Sequence, residues 1–310
     1  MLLAIFSALV IPALIFVLVV SHYQAERSIR LHLDAELGRT KTDTNRALAE
    51  FFNPLVDVTS VLANVLSDEP DDVKAASFVG VMYRTVSNVK RVTSLTVALE
   101  DGYVANLERI TADVRSRHPE YPSGAGWVLR NISQPKGRAV PLLREVFYSE
   151  YPTEISTVIP THMPDFYETQ AYQAAKGSSS VYIGEVTLGA ATNLPLVSIA
   201  VPIRRGDSFL GAAIANVTVT DLSKFLSENK ISDNSESVIL DAAGHVVAAS
   251  SLAAAAAESG PAATSMTTPF DLDGVARRAM AFDELESDGS RDSGMHSFTA
   301  ELDKVEYSIS

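Results

Sequence analysis

The chain of 310 residues has no cysteine, one tryptophan and no run of clustered basic residues. Without cysteine there are no disulfides, no thiolate nucleophile and no Cys-ligated metal, so an extracytoplasmic domain would rely on its apolar core alone. The formal charge of −13, from 38 acidic against 25 basic residues, excludes nucleic acid as an expected partner, because phosphate binding needs clustered Lys and Arg. The histidines lie at 22, 32, 118, 162, 245 and 296, with no pair at helical ligand spacing and no His-Glu-x-x-His run, so no metal is expected. A Walker loop and a Gly-x-Ser-x-Gly elbow are also missing. Gly124-Ala125-Gly126 is a two-glycine fragment with Leu129 where the third glycine of a dinucleotide loop would fall, and loop geometry explains it better. His162 and Asp165 are near each other but lack a nucleophile and its orienting partner. No catalytic residue and no cofactor are expected.

What is present begins with residues 1–20, MLLAIFSALVIPALIFVLVV, which carry no charge. About 20 apolar residues cross a hydrocarbon core about 30 Å thick. Fourteen of them are Leu, Ile, Phe or Val, for a total on the order of −4 to −8 kcal/mol in favour of the membrane. A cleaved signal peptide would need a basic leader and a small-x-small site after a shorter apolar core, so the segment reads as an uncleaved anchor. No Lys or Arg precedes it, and a short basic cytoplasmic leader is expected upstream.

From about Tyr23 to Leu66 the spacing predicts a long amphipathic helix, with Ile29, Leu33 and Leu37, then Leu48, Phe51, Leu55, Val58, Leu62 and Val65 on one stripe. The stripe serves coiled-coil dimerisation or packing against the chain's own sensor domain. Pro54 removes a backbone donor and predicts a kink. After Asp-Glu-Pro-Asp-Asp, Asp71 or Asp72 caps a second helix through Val89. Residues 93–99 and 103–110 flank Glu100-Asp101-Gly102 as a hairpin. Trp127 to Ile132 reads as a strand, as do Leu196 to Ile203 and Phe209 to Val219 around Arg205-Gly206-Asp207, with Asp221 capping a helix from Leu222 to Glu228. The polar stretch 229–237 marks a domain boundary. A second hairpin, Val238 to Leu240 and His245 to Ala248, echoes the first, and Phe270 to Phe282 reads as helix. Phe298-Ala300-Leu302 and Val305-Tyr307-Ile309 alternate with polar residues as two antiparallel strands. A second module of matching size needs more strands, so it is expected to be truncated at Ser310.

This order resembles the double Cache sensors of bacterial receptors: a span, a long helix and two PAS-like sheets in tandem. The residues that carry the resemblance are Asp165-Phe166-Tyr167-Glu168-Thr169-Gln170-Ala171-Tyr172-Gln173-Ala174-Ala175, where such domains read D-P-R-x-R-P-W-Y-x-x-A. Ile183-Gly184-Glu185, Val197 to Ile203 and Phe209-Leu210-Gly211-Ala212-Ala213 follow. The resemblance implies an α+β fold: an N-terminal transmembrane helix, a long amphipathic helix, and two tandem PAS-like antiparallel-sheet modules, the second truncated. The corresponding segments are an anchor at 1–20, a stalk helix at 21–67, a membrane-distal module at 68–230 and an incomplete proximal module at 231–310. Family members that bind amino acids clamp the carboxylate with an Arg and a Trp and the ammonium with an Asp. Those positions hold Thr169, Ala171 and Asn216, and only Tyr172 of the clamp remains. A Thr hydroxyl does not replace a bidentate guanidinium, so an amino acid is not the leading ligand. The candidate ligand-binding residues are Asp165, Tyr167, Thr169, Tyr172, Asn216 and Trp127. Tyr167 and Tyr172 could equally pack against the sheet.

The functional expectation is an extracytoplasmic sensor in the inner membrane, facing the periplasm, that binds a small molecule in the distal module and signals through the long helix as a homodimer. Phe52-Asn53-Pro54-Leu55 also resembles the sensor region of alphaproteobacterial adenylate or guanylate cyclases. The alternatives are therefore a sensor fragment of such a cyclase, with its catalytic domain downstream, or a free-standing anchored binding protein. Chemoreceptors and kinases use the same sensor plan, and fold does not choose among outputs.

Overall fold

The computed structural model describes residues 21, 23–24, 46–68, 76–133, 142–160, 164–230, 237–240, 246–251, 298–302 and 305–309. The described residues form an α+β fold with five helices and one large antiparallel sheet. The chain divides into two compact units, residues Glu50–Glu286 and residues Met1–Ala49 with Ser287–Ser310. Among the described residues no helix is long and apolar enough to cross a membrane. The anchor expected at 1–20 and the helix expected at Phe270 to Phe282 lie outside the described residues.

Helix α1 covers residues 46–68. Phe51, Leu55, Thr59 and Leu62 are buried at spacings of three and four, whereas Val61 and Val65 are exposed. The helix runs on through Pro54. Proline has no N–H to give to the Glu50 carbonyl, and the Arg91 guanidinium donates to that oxygen instead, at 3.4 Å. The same guanidinium lies 4.9 Å from the ring centroids of both Phe51 and Phe225.

Helix α2 (Ala76–Asn88) precedes the hairpin β1 (Ser94–Leu99) and β2 (Val104–Arg109). Then come α3 (Ala112–Arg117), β3 (Trp127–Ser133), β4 (Leu142–Tyr148), β5 (Glu154–Val158), α4 (Gln170–Gly177), β6 (Tyr182–Leu188), β7 (Pro195–Arg205), β8 (Ser208–Thr218) and α5 (Val219–Glu228). The sheet order is β5-β4-β3-β2-β1-β8-β7-β6. Strand β8 closes the sheet by pairing with β1, Ser94 opposite Asn216 and Leu99 opposite Gly211. Gly211 is required there: its φ is +152°, and a Cβ would stand 2.2 Å from the Ala98 carbonyl oxygen.

Alternation along the strands gives the sheet two different faces. One face carries Leu95, Val97, Leu107, Leu129, Ile199, Ala213 and Ala215, all buried. Helix α2 packs there on β1 and β2, and α5 on β7 and β8. The other face carries the polar residues described below and is partly covered by α4, which packs on β6, β7 and β8.

The cap of α5 and the elements α3, β4 and β5 differ from expectation. Helix α5 begins at Val219 with Thr218, not Asp221, as its cap: the Thr218 hydroxyl accepts from the Asp221 N–H at 3.1 Å and donates to the Asp221 carboxylate at 2.7 Å. Asp221 sits three residues in and completes a reciprocal capping arrangement, which explains why either residue reads as a cap. Helix α3 and strands β4 and β5 also extend the sheet side of the fold where the sequence offered only turn signals or no pattern. Strand β4 is buried only over its last three residues, so no alternation shows. The pairs β9 (Val238–Leu240) with β10 (Val246–Ala249), and β11 (Phe298–Leu302) with β12 (Val305–Ile309), are antiparallel as the alternation predicts.

Candidate functional site

Residues opposite one another in an antiparallel ladder share a face, so the register lays out the site directly. One row across the sheet reads Phe147, Val128, Glu108, Ser94, Asn216, Ser198. The next reads Glu145, Arg130, Asn106, Thr96, Ile214, Ala200, and the third Leu143, Ile132, Val104, Ala98, Ala212, Pro202. The first two rows are rich in polar side chains. The third is apolar.

A cavity of about 130 Å³ opens over the first two rows. Its floor is Ser94, Thr96, Asn106, Glu108, Ser198 and Asn216, contributed by β1, β2, β7 and β8. One wall is the start of α4 with Phe166, Thr169 and Ala171, and another is the segment Thr187 to Thr192, the end of β6 and the loop after it. This volume is comparable to the roughly 150 Å³ of an apolar cavity that admits benzene.

The floor is held in place by its own hydrogen bonds. The Ser198 hydroxyl donates to the Asn216 Oδ1 at 2.7 Å, and the Asn216 amide donates to the Ser94 hydroxyl at 2.9 Å. The Asn106 amide donates to the Thr96 hydroxyl at 2.8 Å. Beside the floor, on the second row of the same face, Arg130 is 1% exposed. Its Nη1 donates to Asn106 Oδ1 at 2.9 Å and to Glu108 Oε2 at 2.5 Å, its Nε to Glu145 at 3.0 Å, and its Nη2 to the Tyr121 hydroxyl at 2.6 Å. Burial pushes the Glu108 carboxyl above its ordinary range, and the Arg130 charge pulls it back. Burial works against the Arg130 charge, yet Glu108, Tyr121 and Glu145 together hold it more firmly protonated than an ordinary arginine.

Of the six residues expected from sequence, two line this cavity: Thr169 and Asn216. Thr169 is also the N-cap of α4, accepting from the Tyr172 N–H at 3.4 Å. Asp165, Tyr167 and Tyr172 stand beside it. The Asp165 carboxylate accepts from the N–H groups of Tyr167 and Glu168, at 3.0 and 3.3 Å, and shapes the turn into α4. Tyr167 donates to the Leu99 carbonyl at 2.8 Å, and its ring meets Tyr172 edge-on at 5.1 Å. Tyr172 is 1% exposed, packs with Ala98, Val104, Ala200 and Ala212, and donates to Glu100 at 2.5 Å. Burial, then the Glu100 bond and charge, push the Tyr172 hydroxyl pKa up; Tyr167 is pushed up to about 12, chiefly by burial.

Trp127 belongs to the opposite face. It alternates with Val128 and Arg130, so its indole meets Tyr83 of α2 at 5.1 Å and lies 4.9 Å below the Arg109 guanidinium. The residues that sequence reasoning missed are Ser94, Thr96, Asn106, Glu108, Arg130 and Ser198. Their signal was present: polar side chains two apart inside otherwise apolar strands, as in Ser94-Leu95-Thr96 and Asn106-Leu107-Glu108.

No protein-family profile matches the chain, and no curated protein matches it. Solved structures similar to it include the ligand-binding domain of the Campylobacter jejuni chemoreceptor Tlp3 in complex with L-norvaline, with a TM-score of 0.49 and 11% identity over 85% of this chain and 79% of that one. The ligand-binding domain of the Pseudomonas fluorescens chemoreceptor CtaA with L-serine gives 0.46 and 14%, covering 71% and 73%. That of the Pseudomonas aeruginosa amino acid chemoreceptor PctC with GABA gives 0.42 and 14%, covering 67% and 71%. At these identities and scores, ligand and function rest on this chain's own residues.

Proposed function

We propose that the chain is the extracytoplasmic ligand-sensing region of a bacterial transmembrane signalling protein and performs no catalysis. In this reading residues 1–20 anchor it in the inner membrane, 21–67 form the signalling helix, 68–230 the periplasmic binding module and 231–310 belong to a second module, in a homodimer. The observation that carries it is the floor: six polar side chains from four strands converge on one cavity in an otherwise apolar core. Buried polar groups are costly unless paired. Here the pairing is lateral, which leaves hydroxyl, amide and carboxylate capacity facing the cavity, the makeup of a small-molecule site.

Ligand contact with Thr169 and Ala171 would move α4 against β6 to β8, and the ligand drives signalling only by favouring one of two such arrangements. Asp165, Tyr167 and Tyr172 position α4 in this scheme. The cyclase alternative rests on Phe52-Asn53-Pro54-Leu55 of α1, none of which lines the cavity. The test is a thermal-shift screen of the 310-residue chain in detergent against amino acids, carboxylates, amines, purines and sugars. A ligand at 100 times its dissociation constant adds roughly 2.7 kcal/mol. The reading expects a hit that Asn216→Ala and Ser198→Ala abolish; a folded chain with no hit contradicts it.

A further inference from the structure

Resting on that reading, we propose that the cavity takes a small organic cation, a protonated amine without a carboxylate, whose ammonium lies against Glu108. Among the described residues that line the cavity, Glu108 is the only ionisable side chain. Arg130, whose guanidinium holds Glu108, is not in the lining and is engaged with Glu108, Asn106, Glu145 and Tyr121. Two carboxylates, Glu108 and Glu145, face that one guanidinium. With both carboxylates ionised the cluster carries one negative charge in surplus; burial pushes the Glu108 carboxyl up against that charge, and none of the described residues lining the cavity is a cation that would balance it.

A bound ammonium would neutralise this surplus where little water competes. A bound carboxylate would meet it as a like charge. At the start of α4 the Thr169 hydroxyl is already occupied, donating to the Phe166 carbonyl at 2.8 Å and accepting from Tyr172. That end of the cavity presents Phe166 and Ala171, with Ile214 packed against them, surfaces suited to methylene groups. The volume of about 130 Å³ suits a molecule of about six non-hydrogen atoms, the size of benzene.

The test is calorimetric titration of the 310-residue chain in detergent with four probes on one four-carbon chain: 4-aminobutan-1-ol, butane-1,4-diol, butyrate and 4-aminobutyrate. The amino alcohol should bind roughly tenfold or more tighter than the diol, the scale of one charge-assisted hydrogen bond, and butyrate should give no heat of binding. Glu108→Gln should reduce the amino alcohol to the level of the diol. That variant leaves Arg130 short of a partner and can unfold, so the ranking of the four probes on the unmodified chain decides alone. Butyrate or 4-aminobutyrate binding as tightly as the amino alcohol overturns the proposal, as does failure of all four to bind. The sensor reading falls separately, only if the wider panel also yields no shift that depends on Asn216.

Discussion

One face of the sheet is polar at one end of its strands and apolar at the other, and the two ends are built by opposite means. At the polar end Ser94, Thr96, Asn106, Glu108, Arg130, Ser198 and Asn216 are fixed by bonds to one another. At the apolar end Ala98, Ala200 and Ala212 are small enough for α4 to bring Ala171, Tyr172 and Ala175 into contact. The apolar end closes by packing. The polar end cannot collapse in the same way, because each side chain is held upright by its neighbours, and the cavity forms over it, walled by the start of α4.

The comparison breaks most severely at Arg130. Arg130→Met leaves Glu108 and Glu145 without their guanidinium, and losing one partner of a buried pair costs about 3–5 kcal/mol. Urea unfolding should show this loss, with partial recovery when Glu108→Gln is added. A cost below about 1 kcal/mol would mean that the polar end is not locked as described. Next to the apolar row, Gly211→Ala forces a side chain into φ +152° and onto the Ala98 carbonyl, for an expected loss of about 1–3 kcal/mol in the same assay. At the cavity wall, Thr169→Ala removes the α4 cap and should cost about 1 kcal/mol while weakening any ligand response.

The smallest effect concerns the tyrosines beneath and beside α4. Tyr167 has its pKa raised from 10.0 to about 12, so its contribution to stability is complete below about pH 10 and is lost as pH rises towards 12. The phenolate absorbance should therefore show a late-titrating fraction in the folded chain. Tyr167→Phe should make that fraction smaller. Tyr172→Phe should remove a second late group, because that hydroxyl is also pushed up, at a cost of about 0.5–1.5 kcal/mol for the lost bond to Glu100.

Much of this arrangement was legible in the sequence, and the reasons differ from element to element. The hairpin and strands β7 and β8 follow from apolar, β-rich runs around the turns at Asp101-Gly102 and Arg205-Gly206-Asp207, and the α1 stripe from its spacings of three and four. Strand β5 shows no alternation, because it is the edge strand and exposed at four of its five residues, and β4 beside it is buried only over its last three. The site was legible only where a motif marked it, at Thr169 and Asn216. Its floor lies on strands whose two faces are both buried, and there Ser94, Asn106 and Glu108 look like breaks in an apolar pattern. Only the cross-strand register turns those breaks into one surface. Trp127 is the converse case, an aromatic that suggests a pocket wall by type but is carried to the other face by its parity with Arg130.

The most direct test of the central claim is the affinity of the best ligand from the screen, measured by calorimetry on the unmodified chain, on Ser198→Ala and on Trp127→Phe. The account predicts that Ser198→Ala, on the polar row, weakens binding at least about tenfold, whereas Trp127→Phe, on the helix-covered face, leaves it unchanged. Loss of binding in Trp127→Phe with full binding in Ser198→Ala would put the ligand on the wrong face of the sheet and contradict the account.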